Sequence, residues 1–456
     1  MIRIIANADI YVDRSLRPLD LVMDGEKIAS IVERGKGPRD AQTIDATGLM
    51  AIPGGVDVHV HTREPGYTYK EDIISCTSAA AAGGYTTMFG MPNLDPPTLT
   101  TRDLDDVLRL YDEKALIDYN HNPAAKLLNE IPSMALRGIA AYKIYMVADT
   151  GRSYPHPSAI GVHDHGALYL AMKAIEKTGL RLMVHPHDQS IMEVIEQEYW
   201  AAGDRTPQAY AKTLAADDGI IWDTATALLI RMAEATGCKL HVVHAQTERQ
   251  IEMIAEARER GVDVTSEANH WCIFLGTWEE IERQGSFVLS YWVPEHHQKA
   301  VWQALEDGTI DILASDHAPH TREDKEVGWT DAWAAHTGTP GIQYQLPLMI
   351  DAWHSGKISV ERLVDLVSTA PARIFGLATK GSLTVGKDAD VVLVDPNREW
   401  TITDASVLSK IGWTPYNGRA IKGSIARTIV RGSDVWLDGN IVEAPGYGRQ
   451  VTVTST

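Results

Sequence analysis

The spacing of apolar and polar positions changes character twice along the chain. Over residues 1–52, short stretches (3–12, 20–23 and 27–32) alternate apolar with polar side chains between Gly and Pro, a period of two that predicts β-strands. From 53 to 376, Val- and Ile-rich runs are followed by longer Ala-, Glu- and Leu-rich stretches, as at 180–184 then 190–200 and at 240–243 then 248–260. Strand then helix, repeated over roughly 300 residues, predicts a parallel sheet, and the (β/α)8 barrel is the common closed form at that length. From 377 to 456 the all-β texture returns, for example in Asp390-Val391-Val392-Leu393-Val394 and in Thr428-Ile429-Val430. Each β-rich end is too small to bury a good core alone. The expected fold is therefore α/β: a (β/α)8 TIM-like barrel over 53–376, with a β-sandwich domain built from the terminal segments 1–52 and 377–456.

Composition narrows the function classes. With 44% hydrophobic and 23% charged residues among 456, the chain has the balance of a soluble globular protein. A formal net charge of −19 argues against nucleic acid and anionic membrane surfaces as partners, while leaving room for a local basic pocket. Cys76, Cys238 and Cys272 are odd in number and form no CxxC pair, which favours a reducing cytoplasm over a disulfide framework. The N-terminus lacks the basic-then-apolar pattern of a signal peptide, and no apolar run approaches the ~20 residues that span a bilayer.

The candidate chemistry lies at the ends of the strand-like runs of the middle region, where barrel active sites gather. In Asp57-Val58-His59-Val60-His61, two histidines one residue apart project to one side of a strand and supply half of a tetrahedral metal shell. Lys143 sits inside the apolar run 140–146, where an unpaired ammonium is costly. The runs 180–184 and 240–243 are each followed by a histidine, His185 and His244, and 310–315 is followed by Asp316. Each has an ordinary alternative: a hydrogen-bonded structural histidine, an aspartate that caps a helix, a lysine paired with a carboxylate. Their succession at strand ends along one β/α chain favours a shared metal site.

With these residues in view, the chain resembles the amidohydrolase superfamily, and within it the cyclic amidohydrolases: dihydroorotase, hydantoinase (dihydropyrimidinase) and allantoinase. The resemblance runs from Ile52-Pro53-Gly54-Gly55-Val56-Asp57-Val58-His59, through Ser315-Asp316-His317-Ala318-Pro319-His320, to Gly386-Lys387-Asp388-Ala389-Asp390. It implies a barrel with a β-sandwich and two divalent metal ions, usually zinc. By motif, His59, His61 and Asp316 would hold the more buried ion, and His185 and His244 the more exposed one. Lys143 would carry a carbamate, formed with CO2, that bridges both. Asp149, in the following loop, is the alternative bridge, because some dihydroorotases use an aspartate there. The implied reaction is hydrolysis of the amide bond of a cyclic amide or ureide by a metal-bridged hydroxide, with Asp316 as general base. Tyr145 is either an oxyanion donor or a barrel-packing aromatic. Relatives are usually dimers or tetramers, so a homodimer or homotetramer is expected.

For the ring, the dihydroorotase pattern assigns a substrate carboxylate to Arg63, Asn93 and His320, which a guanidinium suits through paired hydrogen bonds; a salt bridge between Arg63 and Glu64 is the structural alternative. Trp292-Val293-Pro294-Glu295-His296-His297 departs from the dihydroorotase pattern, and the stretch 324–333 looks more like hydantoinases and allantoinases. Trp271, Trp292, Trp329 and Trp333 would line a pocket for a flat ring or form subunit contacts. The expectation is a hydantoinase/dihydropyrimidinase-like enzyme, with dihydroorotase or allantoinase as alternatives and a non-catalytic scaffold as the remote one.

Overall fold

The computed structural model describes residues 1–147, 159–288 and 292–453. Eight parallel strands of the described residues form the barrel: β1 (Gly55–Val60), β2 (Tyr85–Gly90), β3 (Asp118–His121), β4 (Ala141–Tyr145), β5 (Arg181–His185), β6 (Leu240–Val242), β7 (Val264–Asn269) and β8 (Ile312–Ala314). β1–β3 pair as one sheet and β4–β8 as another. Backbone contacts close the ring at its two seams: His61 N–H donates to the His317 carbonyl at 2.8 Å, and Lys143 N–H to the Pro123 carbonyl at 2.9 Å. Two sequence-predicted site residues, His61 and Lys143, therefore sit where the barrel is stitched shut.

Helices cross between strands as the periodicity predicts. Gln189–Ala201 follows β5 and Glu248–Glu259 follows β6, each opened by a side-chain cap, Asp188 and Thr247. The apolar face of Glu248–Glu259 packs in one large core that includes Val107, Ile144, Leu182, Leu229 and Ile254, whereas Met192 of Gln189–Ala201 joins a separate cluster with Tyr210, Trp222 and Trp333.

The terminal segments form a ten-stranded mixed sheet. They meet where Val391–Thr401 pairs antiparallel with Met50–Pro53, Val391 opposite Pro53 and Val394 opposite Met50. Ile5, Ile10, Leu21, Ile44, Val391, Leu393 and Ile429 share one apolar core drawn from both segments. The stretch 3–12, expected as one strand, is two, Ile2–Ala6 and Asp9–Val12. The break falls at Asn7, whose φ of 66° lies in the left-handed region that asparagine tolerates. Its backbone N–H donates to Asp20, so the turn is anchored to the neighbouring strand.

Candidate active site

Strand ends place the imidazoles in an arc. The ring centroids lie 5.4 Å apart for His59 and His61, 5.1 Å for His59 and His244, and 5.0 Å for His185 and His244. Asp316 faces them from the end of β8, its Oδ1 3.3 Å from His59 Nε2 and 3.1 Å from His61 Nε2. His59, His244 and Asp316 each present a ligand-type atom within 4.8 Å of the others.

The ring orientations are set from behind. His59 Nδ1 lies 2.5 Å from Glu267 Oε1, His61 Nδ1 2.6 Å from Asn93 Oδ1, and His244 Nδ1 2.7 Å from Asn269 Oδ1. Each acceptor takes the Nδ1 proton, which leaves the Nε2 lone pair for a cation, the arrangement that buried metal ligands require. Glu267 is fully buried and also receives His241 Nε2 at 3.2 Å. Burial alone would raise its pKa, but the imidazoles of His59 and His241 outweigh that and hold it well below the usual carboxylate range.

Lys143 is fully buried, and its Nζ has no hydrogen-bond partner among the described residues. Burial pushes its pKa down to about 8, against the opposing pull of Glu267 and Asp316. An orphaned amine within reach of an arc of histidines fits a lysine that forms a carbamate ligand, because the neutral amine is the nucleophile toward CO2. Burial likewise pushes His61 down to about 3 and His244 to about 4, so both are neutral and ligand-competent at physiological pH. Burial would raise Asp316, yet His59, His244 and His61 keep it well below its usual value and ionised. The donor set, three nitrogen ligands with fixed tautomers plus one ionised carboxylate and one unpartnered amine, fits a divalent metal centre. Asp149, the alternative bridge, lies outside the described residues.

Arg63, His244 and Asp316 have φ of 60°, 59° and 45°. Left-handed backbone at non-glycine residues is strained, and its concentration here marks a site where geometry overrides local preference.

A cavity opens in front of these groups. It is lined by His59, His61, His185, His244 and Asp316, by Arg63, Asn93 and Tyr145, and by the apolar and aromatic side chains of Val147, Tyr210, Leu214, Trp222 and Trp271. Tyr145 is buried, and its hydroxyl pKa is raised well above 10 by that burial, so it stays protonated and able to donate. His320 differs from the expectation: its ring does not line the cavity but stands behind Arg63, whose Nη2 donates to His320 Nε2 at 3.0 Å. Asn93 lines the cavity but commits its Oδ1 to His61. Glu64 pairs with Lys114 rather than with Arg63.

Of the loop tryptophans, Trp271 lines the cavity, and Trp292 lines an adjoining recess with His297. Trp333 is buried against Trp200 and Tyr210, and Trp329 is half exposed. His296 and His297 turn to Asp218 instead of the cavity mouth. Glu267, Asn269, His187 and Trp222 are site residues that the strand-end reading did not single out. Glu267 and Asn269, two residues apart on β7, carried the same-face signal that located His59 and His61.

A model of the amidohydrolase family matches residues 50–442. The chain is 31% identical to a dihydroorotase of Methanosarcina acetivorans, over 97% of this chain and 94% of that one. It is 33% identical to an allantoinase of Rubrobacter xylanophilus, over 89% and 88%. Among solved structures, the L-hydantoinase (dihydropyrimidinase) of Arthrobacter aurescens superposes with a TM-score of 0.93 at 28% identity, covering 99% of this chain and 100% of that one. Fold, ligand geometry and these likenesses agree, and the chain belongs to the amidohydrolase family.

Proposed function

We propose that the protein is a metal-dependent cyclic amidohydrolase that opens a hydantoin- or dihydropyrimidine-type ring. The observation that supports this best is the set of histidines whose Nδ1 atoms are committed to Glu267, Asn93 and Asn269, with the free Nε2 atoms of His59 and His61 turned toward Asp316, and Lys143 buried with no hydrogen-bond partner for its Nζ among the described residues. His59, His61, His185, His244 and Asp316, with a carbamate on Lys143, would hold two divalent ions, taken to be zinc. Such a centre supplies, when bound, a Lewis acid for the ring carbonyl and a lowered pKa for water.

The chain's own groups account for the remaining steps. Asp316 accepts the proton of the attacking water and delivers it to the ring nitrogen as the carbon–nitrogen bond breaks. Tyr145 donates its hydroxyl to the oxygen on which charge develops. Arg63 anchors the polar edge of the ring, and Tyr210, Leu214 and Trp222 offer an apolar face to a ring substituent while excluding water. That face supports the hydantoinase-like reading. A dihydroorotase is the second reading, favoured by the guanidinium of Arg63 in the cavity wall, which suits a ring carboxylate. The sandwich is taken as 1–52 with 377–456 and the barrel as 53–376. A cytoplasmic homodimer or homotetramer is part of the proposal, the location supported by three buried free thiols.

The test is ring opening by purified, metal-loaded protein on 5-substituted hydantoins, dihydrouracil, allantoin and dihydroorotate. Turnover of hydantoins with apolar substituents is expected. Turnover of dihydroorotate alone would overturn the hydantoinase-like reading in favour of the second.

A further inference from the structure

Behind Arg63 lies a second polar cluster that the ring-opening steps do not use. Lys70, in the turn before the helix Ile73–Ala82, is only 4% exposed, and Lys325, in the short helix Arg322–Glu326, is fully buried. Lys70 Nζ lies 3.1 Å from His320 Nδ1, 2.7 Å from His336 Nδ1 and 3.1 Å from Asp324 Oδ2, so this nitrogen sits at the centre of a His–Asp–His group. Lys325 Nζ donates instead to the carbonyl of His336 at 2.7 Å. Arg63 completes the cluster: its Nη2 donates to His320 Nε2 at 3.0 Å and its Nε to the Pro319 carbonyl at 3.2 Å.

The protons in this chain of contacts can be counted. A guanidinium has donors only and does not lose its proton in a protein, so His320 Nε2 must offer a lone pair. A neutral imidazole has one N–H, and on His320 that N–H is therefore on Nδ1, aimed at Lys70. An ammonium has no lone pair to receive it. An amine has one lone pair and two N–H bonds, which match the three contacts: it accepts from His320 and donates to His336 and Asp324.

We propose that Lys70 is held as a neutral amine, which fixes His320 in its Nδ1–H form and so holds Arg63 in the cavity wall. This makes Lys70 a positioning residue, and it couples the segment carrying Asp324 and His336 to the aim of Arg63. The groups facing Lys70 are Arg63, His320, Asp324, Lys325, His336 and the Tyr69 ring at 5.5 Å. A further buried cation among these, against a single carboxylate, is costly. Burial and the nearby Arg63 push the Lys70 pKa down to about 8, in the same direction. The functional half of the inference rests on Arg63 contacting substrate; the protonation state of Lys70 does not.

Ring-nitrogen NMR of the full chain labelled with 15N-histidine reads the claim directly. The His320 signals are assigned by their loss in His320→Gln and their perturbation in Lys70→Met. The expected result is a protonated Nδ1 and a bare Nε2 at mildly alkaline pH, above the Lys70 pKa of about 8; a protonated Nε2 there, alone or with Nδ1, overturns the proposal. Kinetics supply the second arm, with dihydroorotate and dihydrouracil as probes. Lys70→Gln keeps an acceptor and two donors, whereas Lys70→Arg offers donors only. Lys70→Arg is therefore expected to raise KM about tenfold more than Lys70→Gln, the scale of one hydrogen bond to a charged group, with kcat less affected. If Lys70→Arg matched the wild type while Lys70→Gln failed, the position would need charge, and the neutral amine would be wrong. If no form opened these rings, 5-substituted hydantoins or allantoin, the hydrolase reading would be what failed, and the NMR result would still decide the state of Lys70.

Discussion

At the scale of single residues, the site is built from groups that are unfavourable one at a time. Lys143 is an amine buried with no hydrogen-bond partner among the described residues, and Arg63, His244 and Asp316 adopt left-handed backbone at a cost of order 1–3 kcal/mol each. A cation held by the arc of histidines, as proposed, would offset these costs, which gives two expectations. Lys143→Ala should lose bound metal and ring-opening activity together, as read by metal stoichiometry on the purified variant; full retention of both would make Asp149 the next bridging candidate. Glu267→Gln keeps the shape of the side chain but weakens the acceptor that fixes His59. It should reduce metal affinity by about 10- to 100-fold in a chelator competition, the usual effect of removing such a partner.

Some residues of the candidate site are legible in the sequence and others are not, for one reason. His59, His61, His185, His244 and Asp316 were legible because each closes an apolar run and carries its chemistry in its own side chain. Glu267, Asn269 and Lys70 act through another residue: Glu267 is 208 positions from His59, and Lys70 is 250 from His320. Nothing local marks those pairs. His320 and Asn93 were legible by motif as substrate contacts, yet in the structure one backs Arg63 and the other orients His61.

At the scale of elements, strand ends and the loops that follow them carry the site, and the helix caps hold those loops. Thr247 stands three residues beyond His244 and caps the helix Glu248–Glu259. It accepts from Gln250 N–H, while Gln250 Oε1 accepts in return from the Gln246 and Thr247 backbone. Its hydroxyl also donates to Asp223 at 2.5 Å, whose pKa burial raises to about 6. Thr247→Ala removes both bonds and should cost about 1–2 kcal/mol in chemical denaturation, the range of a lost N-cap. A loss below a few tenths would mean that the reciprocal Gln250 contacts hold the turn by themselves. The Ala-, Glu- and Leu-rich stretches that follow the Val- and Ile-rich runs made these helices legible. The break at Asn7 and the turn of His296 and His297 toward Asp218 were not, because they depend on backbone conformation and on a neighbour far along the chain.

At the scale of the whole molecule, buried charges tie the terminal sheet to the barrel. Lys380 Nζ lies 2.5 Å from Asp118 on β3, 2.7 Å from Asp390 beside the strand Val391–Thr401, and 3.1 Å from Asp388. Arg431 also reaches Asp118. Removing one partner of such a cluster strands its carboxylates in a dry interior. Lys380→Met should therefore destabilise the fold by about 3–5 kcal/mol in denaturant unfolding, with the metal ligands untouched. A change under about 1 kcal/mol would show that the junction is hydrated. The Gly386-Lys387-Asp388-Ala389-Asp390 stretch was legible as a family motif, but its role at this junction emerges only when Asp388 and Asp390 meet Lys380 and Asp118.

The most direct test of the account is ring opening before and after metal removal. Protein stripped by a chelator and returned to metal-free buffer should lose hydrolysis of its preferred cyclic amide. Activity should return with added zinc and reach its plateau near two equivalents per chain in the presence of bicarbonate. Undiminished turnover by the stripped protein, or none of any cyclic amide by the fully loaded one, would contradict it.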